Sequence, residues 1–329
     1  MREEVGVSEG RRSEVRGLRN GSAIGVGTRM RLPPASMKLD SLARAYRVAN
    51  GRHFRLADHD PADTGGIEAK KQAVEALAKG VKRMGELQER LYAQNRWSVL
   101  IILQAMDAAG KDSTIEHVMS GLNPQGCAVY SFKTPSTEEL DHDFLWRCAC
   151  RLPRRGQIGI FNRSYYEETL VVKVHPEILG YQKLPPALIT EQIWSQRFED
   201  IRTFERHLAR SGTVVLKFFL HVSREEQRRR FLERLEDPAK NWKFSAADLA
   251  ERARWDDYMA AYEETIRRTA TKEAPWHVVP ADHKWFTRLV VAETIVARLK
   301  ELDPTFPEMP AAERKKLTAA REALKREKV

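Results

Sequence analysis

No run of apolar residues approaches the roughly 20 needed to cross a bilayer. The N-terminus, rich in Arg and Gly, carries no apolar stretch of the secretory kind. A cytoplasmic protein is therefore the expectation, with no membrane partner. Cysteine is scarce: Cys127, Cys148 and Cys150 are the whole supply. An odd number, with one C-x-C pair and no neighbouring His or Cys, makes neither a disulfide framework nor a zinc site. Internal repeats are missing, and so are the aromatic-rich signatures of RNA-binding modules.

What is present is a chain of 329 residues, 42% hydrophobic, enough for one large domain or two small ones. The formal net charge of +10 suits an anionic partner: nucleic acid, a membrane surface or a phosphate-rich substrate. A solvated basic face would have the same charge. Residues 1–36 have scattered Arg and Gly, no sustained apolar period and a Pro33-Pro34 break, which predicts a disordered arm. Met37 opens a more ordinary sequence and is a second candidate for the start of translation. Residues 37–302 form the expected catalytic domain, and the Lys- and Glu-rich stretch 303–329 a charged tail.

Within that domain, Ala73, Val74, Leu77, Val81, Met84, Leu87 and Leu91 recur at helical spacing and predict a long amphipathic helix over 67–92. A continuous apolar run over 97–103 has strand length. Further strands are expected at 127–132, 158–161, 214–220 and 276–279. Helices are expected at 136–150, 190–210, 224–235, 246–271 and 283–302. Strands alternating with helices predict an α/β fold, a mostly parallel sheet covered on both faces.

The first strand leads into Gln104-Ala-Met-Asp-Ala-Ala-Gly-Lys-Asp-Ser-Thr114. Gly110-Lys111 falls at the junction of a buried strand and a helix. Backbone N–H groups and the positive helix end can hold phosphate oxygens there while the Lys neutralises their charge. Ala108, Ala109, Gly110, Lys111, Asp112, Ser113 and Thr114 are the expected phosphate-binding residues. The segment departs twice from G-x-x-x-x-G-K-[ST]: Ala105 replaces the first Gly, and Asp112 follows the Lys. Asp107 adds a carboxylate where phosphates should sit, which is repulsive unless a cation lies between; it is a candidate Mg²⁺ ligand or a group that orients the acceptor. Asn162 closes another strand at the end where open α/β sheets bind ligands. Arg163, next along, can grip phosphate with its fork of donors or simply pair with Glu167 four residues on.

Five segments in natural order, Q-A-M-D-A-A-G-K-D-S-T-I, N-P-Q-G-C, E-E-L-D-H-D-F-L-W, I-G-I-F-N-R-S-Y-Y-E-E and D-P-A-K-N-W-K, resemble the family-2 polyphosphate kinases over residues 42–302. The resemblance implies a P-loop kinase fold like that of thymidylate kinases, a helical lid near 224–245, Mg²⁺, and polyphosphate as donor to AMP or ADP. It makes Ala105 and Asp112 family features. Asp107, Lys111, Asn162 and Arg163 become the catalytic set, and Glu167 and Trp242 candidates for the nucleotide side. Asn162, where many relatives have Asp, resembles the subgroup using both AMP and ADP. A homo-oligomer is also implied; nucleic acid is not an expected partner. In the lid, Arg229, Arg230, Lys240 and Lys243 are candidates for a row of cations along the polyanion, or else lie on a solvated helix. Trp242 and Trp255 could stack on adenine, or pack in the core. Two other readings remain: an ATP-dependent nucleoside monophosphate kinase, and a basic RNA-binding protein with a degenerate loop. His117 and His142 suggest a phosphohistidine, but a phosphate loop supports direct in-line transfer without one.

Overall fold

The computed structural model describes the backbone of residues 39–327 and, apart from Leu39, Asp40 and Lys243, their side chains. The arm expected at 1–36 lies outside the described residues. In chain order the elements begin with α1 (Leu39–Ala45), β1 (Arg47–Val48), α2 (Lys70–Gln94), β2 (Ser98–Gln104), α3 (Lys111–Met119) and β3 (Cys127–Ser131). Two single-turn helices, α4 (Thr137–Leu140) and α5 (Trp146–Ala149), lead to β4 (Ile158–Asn162) and the short α6 (Val171–Val174). Then come α7 (Ile193–Arg210), β5 (Thr213–His221), α8 (Arg224–Glu236), α9 (Ala246–Ala253) and α10 (Trp255–Thr269). The chain closes with β6 (Trp276–Pro280), α11 (Lys284–Leu302) and α12 (Ala311–Arg326).

The strands form one six-stranded sheet in the order β1-β6-β5-β2-β4-β3. All pairings are parallel except that of the two-residue β1 with β6. β2 is central, with Ile101 opposite both Ile160 of β4 and Leu216 of β5. Every residue of β2 is buried, as a strand covered on both faces requires, and its apolar run Val99–Leu103 meets that need. Long α11 packs on α2, α1 and α3, while α7 packs on β5 and α10. On α2, the buried Ala73, Gly80, Met84, Gln88 and Leu91 share one face. None of the described helices is long and apolar enough to cross a membrane.

A buried polar network ties β5 to its covering helices. Lys217, fully buried in mid-strand, donates to Glu205 of α7 at 2.6 Å, to the Tyr166 hydroxyl at 2.9 Å and to the Thr269 carbonyl at 2.9 Å. Tyr165 and Tyr166, in the turn after β4, both donate to Glu205.

Two expected helices are broken. The stretch 136–150 forms only α4 and α5, because Asp143 folds back to accept the Leu145 N–H at 2.9 Å, a local bond that competes with the helix. The stretch 246–271 divides at Arg254, whose guanidinium donates to the Val174 carbonyl. After Pro304 the chain forms α12, on which no residue is buried.

Candidate active site

β2 delivers the chain to a turn, Ala105–Gly110, and α3 begins at Lys111. Gly110 has φ +106°, a left-handed conformation natural to glycine. Ala108 takes φ +61° without being glycine, a strained backbone of the kind functional loops hold. Ala105 needs no positive φ, so the missing first glycine costs the turn nothing. Lys111 is 8% exposed and its ammonium folds back onto the carbonyls of Ala105 (2.7 Å) and Met106 (3.4 Å). Burial pushes its pKa down, and the Asp107 charge opposes that shift. The ammonium thus lies within its own loop, held by two of its carbonyls.

The end of β4 closes on this loop. Arg163, with φ +65°, donates its N–H to the Leu103 carbonyl, which fixes its place beside β2. Its guanidinium bridges Asp107 and Glu167, each at 3.1 Å. Those two carboxylates raise its pKa, Glu167 most. Asn162 donates from Nδ2 to Asp112 at 2.7 Å. Of the two expected roles of Arg163 the pairing with Glu167 is present, and the same guanidinium also reaches Asp107 of the loop. Ser113 caps back on the Gly110 carbonyl at 3.1 Å, and Thr114 is buried, its N–H on the same carbonyl. Asp107, Lys111, Asp112, Asn162, Arg163 and Glu167 accordingly meet in one place.

The lid candidates divide. Arg229 and Lys240 are more than half exposed, the first paired with Glu226 and Glu233, the second with Asp237. Trp242 is 77% exposed and donates to the Ala239 carbonyl. Lys243's side chain lies outside the described residues. Trp255 is a core residue. Arg230 does not stand as an open cation of a track: it is 3% exposed, and its guanidinium is bound to Glu226 and to the carbonyls of Ala108, Ala109, Ala281 and Asp282. The triple-Arg run carries charge but does not reveal which Arg faces inward.

Two residues near the loop escaped sequence reasoning. Gln227, 1% exposed, donates to the Asp107 carbonyl at 3.0 Å. Asp248 of α9 has its pKa raised by burial and then by the Asp107 charge, so α9 brings a further carboxylate within electrostatic reach. Neither stands in a pattern that marks it; only the α8 face, three residues from Gln227 to Arg230, would have hinted at the first.

For Mg²⁺, the donor set is informative. Among the described residues no group of three or more His, Cys, Asp and Glu could hold a metal unaided. Asp107 offers one partly exposed carboxylate beside a phosphate loop. That fits an ion bound by one carboxylate and substrate oxygens, the usual Mg²⁺ arrangement, and does not fit an all-protein cage.

Residues 68–307 match the family described as polyphosphate kinase 2. The chain is 49% identical over 282 residues to the ADP-polyphosphate phosphotransferase of Rhodopseudomonas palustris, covering 85% of this chain and 98% of that one. It is 46% identical over 273 residues to the AMP/ADP-polyphosphate phosphotransferase of Meiothermus ruber, covering 83% and 98%. The crystal structure of polyphosphate kinase 2 from Arthrobacter aurescens TC1 aligns with a TM-score of 0.78 at 39% identity, over 87% of this chain and 99% of that one.

Proposed function

The chain belongs to the polyphosphate kinase 2 family, and from that premise we propose that it transfers phosphoryl groups reversibly between inorganic polyphosphate and adenine nucleotides, AMP to ADP and ADP to ATP. The observation that carries this reading is the convergence of Lys111, Asp107 and Arg163 at the ends of β2 and β4. Such a site works by positioning and charge neutralisation. Lys111 exchanges its loop carbonyls for phosphate oxygens, and Arg163, already beside Asp107, turns part of its donor fork to the transferring group. Asn162 orients Asp112 and the start of α3. The acceptor phosphate is largely ionised near pH 7, its second pKa being about 6, so no strong general base is needed. Asp107 would hold Mg²⁺, which when bound neutralises charge on the phosphate oxygens.

His117 bonds its own helix at the Ser113 carbonyl, and His142 stacks on Trp146 at 4.0 Å, so direct in-line transfer remains the reading. Residues 224–245 act as a lid in this scheme, Arg229, Lys240 and Lys243 forming the cations that meet the donor. Glu167 and Trp242 serve the nucleotide side in this reading, and the resemblance of Asn162 to the subgroup using both acceptors favours use of AMP as well as ADP. The work belongs in the cytoplasm, where nucleotides are at hand.

The test is an ATP-free mixture of protein, Mg²⁺, long-chain polyphosphate and either AMP or ADP, separated by thin-layer chromatography. ADP and then ATP are expected. Product formed only when ATP is supplied would instead identify an ATP-dependent monophosphate kinase.

A further inference from the structure

The phosphate loop is gripped from behind by one face of α8. Gln227 Nε2 donates to the Asp107 carbonyl at 3.0 Å; Arg230 Nη1 donates to the carbonyls of Ala108 at 3.0 Å and Ala109 at 2.8 Å. Three consecutive peptide oxygens are thus held by two side chains three residues apart, a spacing that puts both on one helix face. The far end of the guanidinium is anchored too. Its Nη2 donates to Ala281 at 2.6 Å and Asp282 at 3.0 Å, just beyond β6, and its Nε donates to Glu226 at 2.7 Å. A guanidinium has five N–H donors in a rigid plane. Here five bonds use them, and none remains for a phosphate.

We propose that Arg230 and Gln227 are positioning residues that pre-form the anion-binding face of the loop. The peptide unit is planar and trans, so its C=O and N–H point in opposite directions. Turning the Ala109 carbonyl toward α8 turns the Gly110 N–H away from it, and turning the Asp107 carbonyl inward does the same for the Ala108 N–H. The bonds flanking Ala108 also hold its left-handed φ of +61°. Backbone donors fixed before substrate arrives need no reorganisation as charge develops in transfer. The inference rests on the phosphoryl-transfer reading above, and ATP-free turnover by the parent protein decides that reading before any variant is compared.

Arg230→Lys keeps the charge but cannot span the four carbonyls. The variant is checked for folding by circular dichroism, then assayed for kcat, for KM toward polyphosphate and nucleotide, and for the salt dependence of polyphosphate use. Positioning predicts kcat lower by roughly a hundredfold, the scale of losing one pre-oriented donor. The salt slope of apparent polyphosphate affinity stays that of the parent. A folded Arg230→Lys with parental kcat overturns the proposal. So does a raised polyphosphate KM with a shallower salt slope, which would make Arg230 a direct phosphate contact. Should Arg230→Lys not fold, Gln227→Met, which removes only the side-chain amide and keeps its length, gives the reading: a fall in kcat at parental salt slope supports the proposal, and unchanged kcat sinks it.

Discussion

Asp107 has two claims on it, the Arg163 guanidinium at 3.1 Å and the cation expected beside phosphate. An amide of the same shape separates them. In Asp107→Asn, Arg163 keeps its partner Glu167, so the fold stays intact, but the negative charge that would hold Mg²⁺ is gone. Turnover is expected to fall by about two orders of magnitude or more. The Mg²⁺ titration should move to higher concentration. An unchanged titration would mean that the substrates alone hold the metal. At this scale legibility followed chemistry that a pattern can carry. Lys111, Asp107 and Arg163 sit in fixed positions relative to strand ends, so a linear motif finds them. The inward place of Arg230 is not legible because α8 buries a polar face, Gln227 and Arg230 beside Phe231, and a helix with so few apolar residues reads as solvated on every side.

Elements position those residues through the sheet. The turn after β4 carries Arg163 at one end and Glu167 beyond it, and its two tyrosines reach into the Lys217–Glu205 pair between β5 and α7. Replacing Lys217 by Met leaves a buried carboxylate without its cation, which costs about 3–5 kcal/mol. The Lys217→Met protein should therefore show a urea midpoint well below the parent's. Lys217→Met combined with Glu205→Leu should regain only part of the loss, because the uncompensated charge is gone while the buried Tyr165 and Tyr166 hydroxyls and the Thr269 carbonyl lose their partners. A single variant as stable as the parent would show that the network contributes little. The strands were legible because β2, β4, β5 and β6 are short apolar runs with turn signals between them. The helices at 136–150 and 246–271 were overextended because an Asx bond at Asp143 and the docking of Arg254 on Val174 are interactions that periodicity does not register. The buried ion pair was not legible at all: Lys217 sits in Val-Val-Leu-Lys-Phe-Phe-Leu, and its partner lies twelve residues earlier on another element.

The molecule as a whole is basic, at +10, and its proposed donor is a chain of anions. A polyanion laid across several cations releases counterions, so its apparent affinity should drop steeply with salt. Lys240→Ala, which alters an exposed side chain, should lessen that slope and raise KM for long polyphosphate more than for ADP. Loss confined to the nucleotide would move Lys240 to the nucleotide side. Charge alone leaves nucleic acid, membrane and phosphate open; the loop between β2 and α3 favours the choice of phosphate.

That choice is tested most directly by comparing the parent with Lys111→Ala in the ATP-free conversion of AMP and polyphosphate to ADP. Lys111 bonds the carbonyls of Ala105 and Met106 in its own loop, so its loss is felt in the loop before the sheet, and folding of the variant is checked by circular dichroism. The account predicts steady ADP formation by the parent and a rate lower by several orders of magnitude, on the scale of losing a principal transition-state charge, in a folded Lys111→Ala protein. Comparable rates in the two proteins would place the transfer somewhere other than the phosphate loop and contradict the account.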